Sequence, residues 1–207
     1  MPNILNRKFQ YSFWNANMMI VALNVLVFFI SNYVYPYLTY MLALMPLRII
    51  AEPSSCYTFV SYMFVHGSIY HLFSNMLGLV IFGTILERRI GSKEYLLFYF
   101  LTGTLSGVLS FLFYYLTGSY FVFLLGASGA LYAVMLLFAV FFPDAMVFVF
   151  GIIPMRAITL VVFYFIIEFA SSFASDGISH ITHLFGLLAA LLYIMIRMRI
   201  NPFRRRQ

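Results

Sequence analysis

The chain has 207 residues and a formal net charge of +6; 64% of its residues are hydrophobic and only 9% are charged. A soluble domain is about 45–50% apolar and about 25% charged, so this composition excludes a soluble protein and predicts that most of the chain lies in lipid. The single cysteine, Cys56, and the lack of long polar tracts also disfavour a disulfide scaffold, a disordered protein and a nucleic-acid partner.

Six apolar segments follow one another along the chain. A helix needs about 20 apolar residues to cross the hydrocarbon core of a bilayer. The predicted spans are 17–38, 66–86, 95–116, 119–142, 157–173 and 177–196. The predicted fold is therefore an all-α membrane protein, a bundle of six transmembrane helices with a long outer loop between spans one and two.

Basic residues predict the orientation of this bundle. All but one of the 12 Lys and Arg residues fall on one side of the six-span arrangement, and Arg48 is the exception. Because basic loops stay on the cytoplasmic side, both termini of this multi-pass cell-membrane protein are expected in the cytoplasm. The chain then divides into a cytoplasmic segment 1–16, a six-span domain 17–196 and a basic cytoplasmic tail 197–207.

Polar side chains at membrane depth are the candidate functional residues, because such groups need hydrogen bonds that lipid does not supply. They are His66, His71, Asn75, Ser128, Tyr132, His180 and His183. At 1.5 Å per helical residue, four of them are expected about 8–14 Å below the outer ends of three spans, as a shared site requires. The alternative is that they only tie helices together.

Small residues surround two of these polar positions. Gly126 and Gly129 flank Ser128, and Gly186 follows His183. Glycines let two helix backbones approach closely, which a short serine side chain needs in order to reach a histidine on another helix. The alternative is that these glycines only form ordinary helix-packing faces and have no role in a site. Gly126 would also let a helix begin beside Ser128, where unpaired backbone N–H groups favour a developing oxyanion.

Four motifs occur in a fixed order along the chain. They are His66-x4-His71-x3-Asn75, Glu87-Arg88-Arg89-Ile90-Gly91, Gly126-Ala127-Ser128-Gly129 with Tyr132, and His183-x2-Gly186. Together, over about residues 57–190, they resemble the rhomboid intramembrane serine proteases.

This resemblance implies roles for individual residues. Ser128 is expected to be the nucleophile and His183 its general base, with the Tyr132 ring packed against the imidazole. His71 and Asn75, with the Ser128 backbone N–H, are expected to bind the oxyanion.

The resemblance also implies supporting residues on either side of the site. His66 is expected to be structural, and Gly126, Gly129 and Gly186 belong to the matching motifs. Glu87 and Arg89 are expected to form an ion pair that fixes helix ends.

A serine needs a neighbouring base to become a nucleophile. The sequence suggests only Asp176 as a carboxylate near His183, about two turns away, so we predict a Ser–His dyad without an orienting acid. His180 shares a helix face with His183, so spacing alone leaves open that it is the base or that the two histidines ligate a metal. The His-x-x-Gly pattern favours His183 as the base, and no cofactor or metal is predicted.

The expected partners are the lipid bilayer and single-span transmembrane proteins that enter from the side and are cleaved near the outer face. Phenylalanines of span five (163, 165, 169 and 173) and the loop 171–176 are a hypothetical gate and cap; a lipid-facing surface is the alternative.

Two other functions compete with proteolysis. One is a non-catalytic rhomboid-like protein that binds transmembrane clients. The other is a small transporter with a histidine relay; the lack of a repeat and the expectation of no acidic residue in mid-span disfavour it.

Overall fold

Apolar helices make up most of this protein. The computed structural model describes residues 9–149, 151–172 and 179–202, and 73% of the structure is helical. Within these ranges, three helical segments are long and apolar enough to cross a membrane: Ala16–Val34, Ile69–Ile90 and Ser92–Leu116. Three shorter apolar helices follow, Ser128–Phe141, Ala157–Ser171 and His180–Ile196. The predicted helical membrane fold is confirmed, whereas the count of six spans stays a prediction.

The elements in chain order are α1 (Ala16–Phe29) with a π-helical extension (Ile30–Val34), α2 (Tyr37–Leu42), α3 (Pro46–Ala51), a 3₁₀ turn (Pro53–Tyr57), α4 (Thr58–Ser61), a second 3₁₀ turn (Tyr62–Phe64), α5 (Ile69–Gly78), a π-helical turn (Leu79–Gly83), α6 (Thr84–Ile90), α7 (Ser92–Leu116), α8 (Ser128–Phe141), β1 (Met146–Val149), β2 (Ile153–Arg156), α9 (Ala157–Ser171) and α10 (His180–Ile196).

The fourth long apolar segment is helical over a shorter range than expected, because α8 begins at Ser128 and not at 119. The residues before it are irregular and pair with the outer segment at single points. Leu44 and Leu124 exchange both backbone hydrogen bonds, at 3.0 and 2.9 Å, and the Gly126 N–H donates to the Tyr62 carbonyl at 2.9 Å. Paired backbone thus replaces the first predicted turns of this span.

A short antiparallel hairpin departs from the all-α expectation. Strands β1 and β2 pair with Met146 opposite Arg156 and Val149 opposite Ile153. Gly151 lies in the turn between them with a φ of 75°, a conformation that glycine adopts without strain. The hairpin lies in the predicted cytoplasmic connection between spans four and five.

Arg48 forms hydrogen bonds to two separate parts of the outer segment between α1 and α5. Its guanidinium donates to the carbonyls of Tyr40 and Met41 at 2.8 and 2.9 Å and to the Tyr57 hydroxyl at 3.1 Å. The one basic residue on the predicted outer side therefore satisfies backbone carbonyls at the end of α2, in a segment made of several short helices.

Helix α7 presents a face of small residues to its neighbours, and two serines on it position the start of α10. Ser106 Oγ donates to the Thr182 carbonyl at 2.7 Å, and Ser110 Oγ donates to Thr182 Oγ1 at 2.9 Å. These hydrogen bonds lie next to His183 in the chain. They give the first turn of α10 a defined height along α7.

Glu87 is a buried residue of α6 that forms hydrogen bonds to α1 and α7. Its carboxylate accepts hydrogen bonds from the backbone N–H groups of Ala16 and Asn17, at 2.7 and 2.9 Å, and from Ser92 Oγ at 2.5 Å. The expected ion pair with Arg89 is wrong: the Arg89 guanidinium lies 5.4 Å from the centre of the Phe141 ring. Backbone N–H groups at the start of α1 satisfy the carboxylate instead.

We expect Glu87→Gln to lower the free energy of unfolding by about 1–3 kcal/mol, because an uncharged amide cannot accept from all three donors. Thermal unfolding in detergent would measure this change. An unfolding temperature equal to that of the wild type would contradict the assigned role.

Candidate active site

Ser128 and His183 come from different helices and meet at hydrogen-bond distance. Ser128 is the first residue of α8, His183 lies in the first turn of α10, and the Ser128 Oγ and His183 Nε2 atoms are 2.7 Å apart. A Cβ added at Gly186 would lie only 2.1 Å from the Gly129 carbonyl oxygen. The two glycines therefore permit the backbone contact that brings the hydroxyl to the imidazole.

Tyr132 lies one turn after Ser128 and covers the imidazole of His183. The two rings are parallel, with an interplanar angle of 5° and centroids 4.5 Å apart. This stacking restricts rotation of the imidazole. It leaves the Nε2 edge directed at Ser128.

A carboxylate that the sequence analysis missed lies behind the imidazole. Glu168, in α9, is 5% exposed, and its Oε2 atom is 2.9 Å from His183 Nδ1. The Tyr132 hydroxyl donates to the other carboxylate oxygen, Oε1. The expectation that no carboxylate approaches His183 is therefore wrong, because packing of α9 against α10 brings in a residue that sequence spacing does not connect with it.

His180 contacts this carboxylate and not the serine. Its Nδ1 atom is 2.6 Å from Glu168 Oε2, and its ring is nearly perpendicular to that of His183. Of the two histidines that spacing left open, the structure places His183 against Ser128. Asp176, the acid considered from the sequence, lies outside the described residues, as do Phe173 and most of the predicted cap.

His71 and Asn75 lie on the other side of Ser128, on α5. The Ser68 hydroxyl caps this helix by accepting from the His71 N–H at 3.1 Å, and Asn75 Nδ2 donates to the His71 carbonyl at 2.8 Å. Gly126 has a φ of +114°, and a Cβ there would lie 2.6 Å from His71 Nε2 and 3.7 Å from Ser128 Oγ. Only glycine fits between the His71 ring and the start of α8.

His66 contacts both the His71 ring and the residue that precedes α8. It is fully buried, its Nε2 accepts from the Ala127 N–H at 3.4 Å, and its ring packs edge-on against His71 with centroids 5.0 Å apart. Within the part of the chain that the structure describes, His66 forms no hydrogen bond to Ser128 or His183. These contacts agree with a structural role.

A cavity of about 1010 Å³ opens beside the site, and its wall is mostly apolar. It reaches from Ser128 and His183 along α5 to Leu160 and Tyr164 of α9. Phe165 and Phe169, expected at a gate, are 48% and 55% exposed and do not line it. Their position favours the lipid-facing alternative.

The family model described as "Rhomboid domain" matches residues 53–200, well over half of the chain. The chain belongs to the rhomboid family. The resemblance inferred from the four motifs is thereby confirmed.

Two relatives show how far this similarity extends. RHOMBOID-like protein 12, mitochondrial, of Arabidopsis thaliana is 33% identical over 124 residues, which cover 52% of this chain and 36% of that protein. The rhomboid protease GlpG of Haemophilus influenzae is 26% identical over 150 residues, 72% of this chain and 74% of that protein. The chain thus spans about a third of the plant relative's length.

One cluster of this rhomboid protein, among the residues the structure describes, could hold a metal ion. The ligand atoms of Glu168, His180 and His183 lie within 4.8 Å of one another. Zinc bonds of about 2.0–2.1 Å would hold such ligands about 3.3 Å apart in a tetrahedron. Here Glu168 Oε2 is 2.6 and 2.9 Å from the two ring nitrogens, which is the spacing of hydrogen-bonded groups.

Proposed function

We propose that this rhomboid protein is an intramembrane serine endopeptidase that cleaves single-span transmembrane proteins near the outer membrane face. The observation that carries the proposal is the 2.7 Å separation of Ser128 Oγ and His183 Nε2. A serine hydroxyl at this distance from an imidazole nitrogen is the arrangement that activates an alcohol for acyl transfer. The family membership and the relative named as a protease support the same reaction class.

In the proposed mechanism, His183 Nε2 takes the Ser128 hydroxyl proton as the oxygen attacks the scissile carbonyl carbon. The C–O bond forms, and the carbonyl electron pair moves to oxygen. The tetrahedral intermediate then collapses, and His183 gives the proton to the departing amine. Water repeats the sequence on the acyl-enzyme, which releases the second product and restores Ser128.

The negative oxygen of the intermediate would be bound by donors already beside Ser128. The N–H groups of the first turn of α8 lack partners within that helix, and the Ser128 N–H is one of them. We propose that two side chains also donate to this oxygen: His71 through Nε2–H, and Asn75 through the Nδ2–H that is not bound to the His71 carbonyl. Such fixed donors are effective because they need no reorganisation as charge develops.

Substrate access in the proposal is lateral. The apolar cavity wall suits a transmembrane segment, whereas its polar end holds the reacting groups. We further propose that residues 17–196 form a six-span domain with both termini in the cytoplasm, which puts the site toward the outer face. A substrate helix must unwind there, since a peptide bond inside a helix is shielded.

Two alternative functions, a histidine-relay transporter and a non-catalytic client-binding protein, are compared with proteolysis. Glu168 removes one argument against a histidine-relay transporter, because α9 does carry an acidic residue within an apolar helix. The contact between Ser128 and His183 nevertheless has no function in such a relay. A non-catalytic client-binding protein would likewise need no activated serine.

A fluorophosphonate probe tests the proposal, because it labels only serines that a base activates. We expect covalent labelling of the purified wild-type protein, loss of labelling in Ser128→Ala, and unchanged labelling in Ser172→Ala. Ser172 is a suitable control, since its hydroxyl donates to the Phe169 carbonyl at 2.7 Å. Wild-type protein that is folded but stays unlabelled would contradict the proposed function.

A further inference from the structure

We infer that Glu168 is a positioning residue for His183, so that Ser128, His183 and Glu168 act together as a Ser–His–Glu triad. This inference rests on the proposed function and goes beyond the expected dyad. It starts from the position of the carboxylate, whose Oε2 lies 2.9 Å from the imidazole nitrogen opposite the one that faces Ser128.

The surroundings of Glu168 favour the ionised carboxylate. A buried charge is costly unless hydrogen bonds satisfy it. Here the Tyr132 hydroxyl donates to Oε1, and His180 Nδ1 lies 2.6 Å from Oε2. With His183 Nδ1, three polar groups surround a side chain that is only 5% exposed. These polar groups stabilise a negative charge on a side chain that otherwise lies in an apolar helix.

The carboxylate selects the tautomer that catalysis needs. A carboxylate accepts hydrogen bonds and does not donate them, so it favours a proton on His183 Nδ1. The lone pair then lies on Nε2, where the Ser128 hydroxyl proton must go. The negative charge also stabilises the imidazolium that forms when this proton is transferred.

The contact between Glu168 Oε2 and His183 Nδ1 is short, but its angles are not those of a hydrogen bond. His183 Nδ1 has no hydrogen-bond acceptor with aligned geometry in this structure, although Oε2 is 2.9 Å away. In the resting site the carboxylate therefore acts on the imidazole mainly through charge. Hydrogen bonds of active sites are commonly poorly aligned before substrate binds and tighten in the complex, and we expect the Nδ1–H to align with Oε2 at that stage.

Glu168 also reaches His183 by a second route. Oε1 accepts from the Tyr132 hydroxyl, and the Tyr132 ring stacks on the imidazole. One carboxylate thus contacts the edge of the imidazole and fixes the aromatic ring that covers its face. His180, on the far side of Oε2, holds the carboxylate in place.

Glu168→Gln tests this role with little change of shape. We expect kcat for cleavage of a single-span test substrate to fall about 10²-fold or more, with KM changed less than threefold, because the uncharged amide does not stabilise the imidazolium that forms on His183. The matched control is Glu87→Gln, which alters another buried carboxylate with three donors. It should lower the unfolding temperature while kcat of the folded protein stays at the wild-type value.

Tyr132→Phe separates the two routes, because it keeps the stacked ring and removes the hydroxyl. We expect a smaller loss of kcat than in Glu168→Gln. Equal losses in the two variants would mean that the carboxylate acts only through the tyrosine, which would overturn the triad.

The outcomes distinguish this inference from the proposed function. If the fluorophosphonate labels wild-type Ser128 and Glu168→Gln retains wild-type kcat, the triad is wrong and the protease stands. If folded wild-type protein neither reacts with the probe nor cleaves substrate, the proposed function fails and the triad fails with it.

Discussion

His183→Ala is expected to slow cleavage of a single-span substrate about 10⁴-fold or more, a loss of the size seen when a serine hydrolase loses its general base. The structural reason is that His183 Nε2, 2.7 Å from Ser128 Oγ, is the group placed to take the hydroxyl proton. Initial rates in detergent or in vesicles measure the effect. Thermal unfolding establishes that the variant is folded.

The informative comparison for this prediction is His180→Ala. His180 contacts Glu168 and not Ser128, so its loss should reduce the rate much less than the loss of His183. A variant series in which His180→Ala is inactive and His183→Ala cleaves substrate would show that the base has been assigned to the wrong histidine.

Gly186→Ala is expected to reduce cleavage about 10²-fold or more although it adds a single methyl group. The new Cβ would lie 2.1 Å from the Gly129 carbonyl oxygen, so α8 and α10 must separate. A displacement of about 1 Å between reacting groups can cost about 10²-fold in rate. The rate of fluorophosphonate labelling reports this displacement directly.

Gly67→Ala is the matched glycine variant. Its added Cβ would be 3.6 Å from a Leu125 side-chain atom, an ordinary contact, and the labelling rate should equal that of the wild type. Full activity in Gly186→Ala would contradict the assigned packing of α8 against α10.

The proposed nucleophile and base could be found from the sequence, because each belongs to a motif with local spacing. Ser128 and Tyr132 lie four residues apart on one helix, and Gly186 lies one turn after His183. Glu168 has no such motif. Its one signal in the sequence is that it is the single carboxylate within the apolar stretch 157–171, where a buried charge is costly unless it has a function.

The start of α8 and the hairpin could not be predicted from composition. Residues 120–125 and 146–149 are short apolar runs, and periodicity does not distinguish a strand from a buried helix at that length. Their conformation depends on partners elsewhere in the chain. Leu124 is extended because Leu44 offers it both backbone hydrogen bonds.

The pairing of Leu44 with Leu124 has a consequence for how this protein tolerates mutation. Hydrogen bonds between main chains do not depend on side-chain identity, so substitutions at Leu44 and Leu124 that keep this pairing should leave the attacking oxygen at the same height. Insertions or deletions between Leu124 and Ser128 would shift that oxygen along the bilayer normal. Apart from Gly126, where only glycine fits, the length of this connection therefore matters more to the position of Ser128 than the identity of its residues.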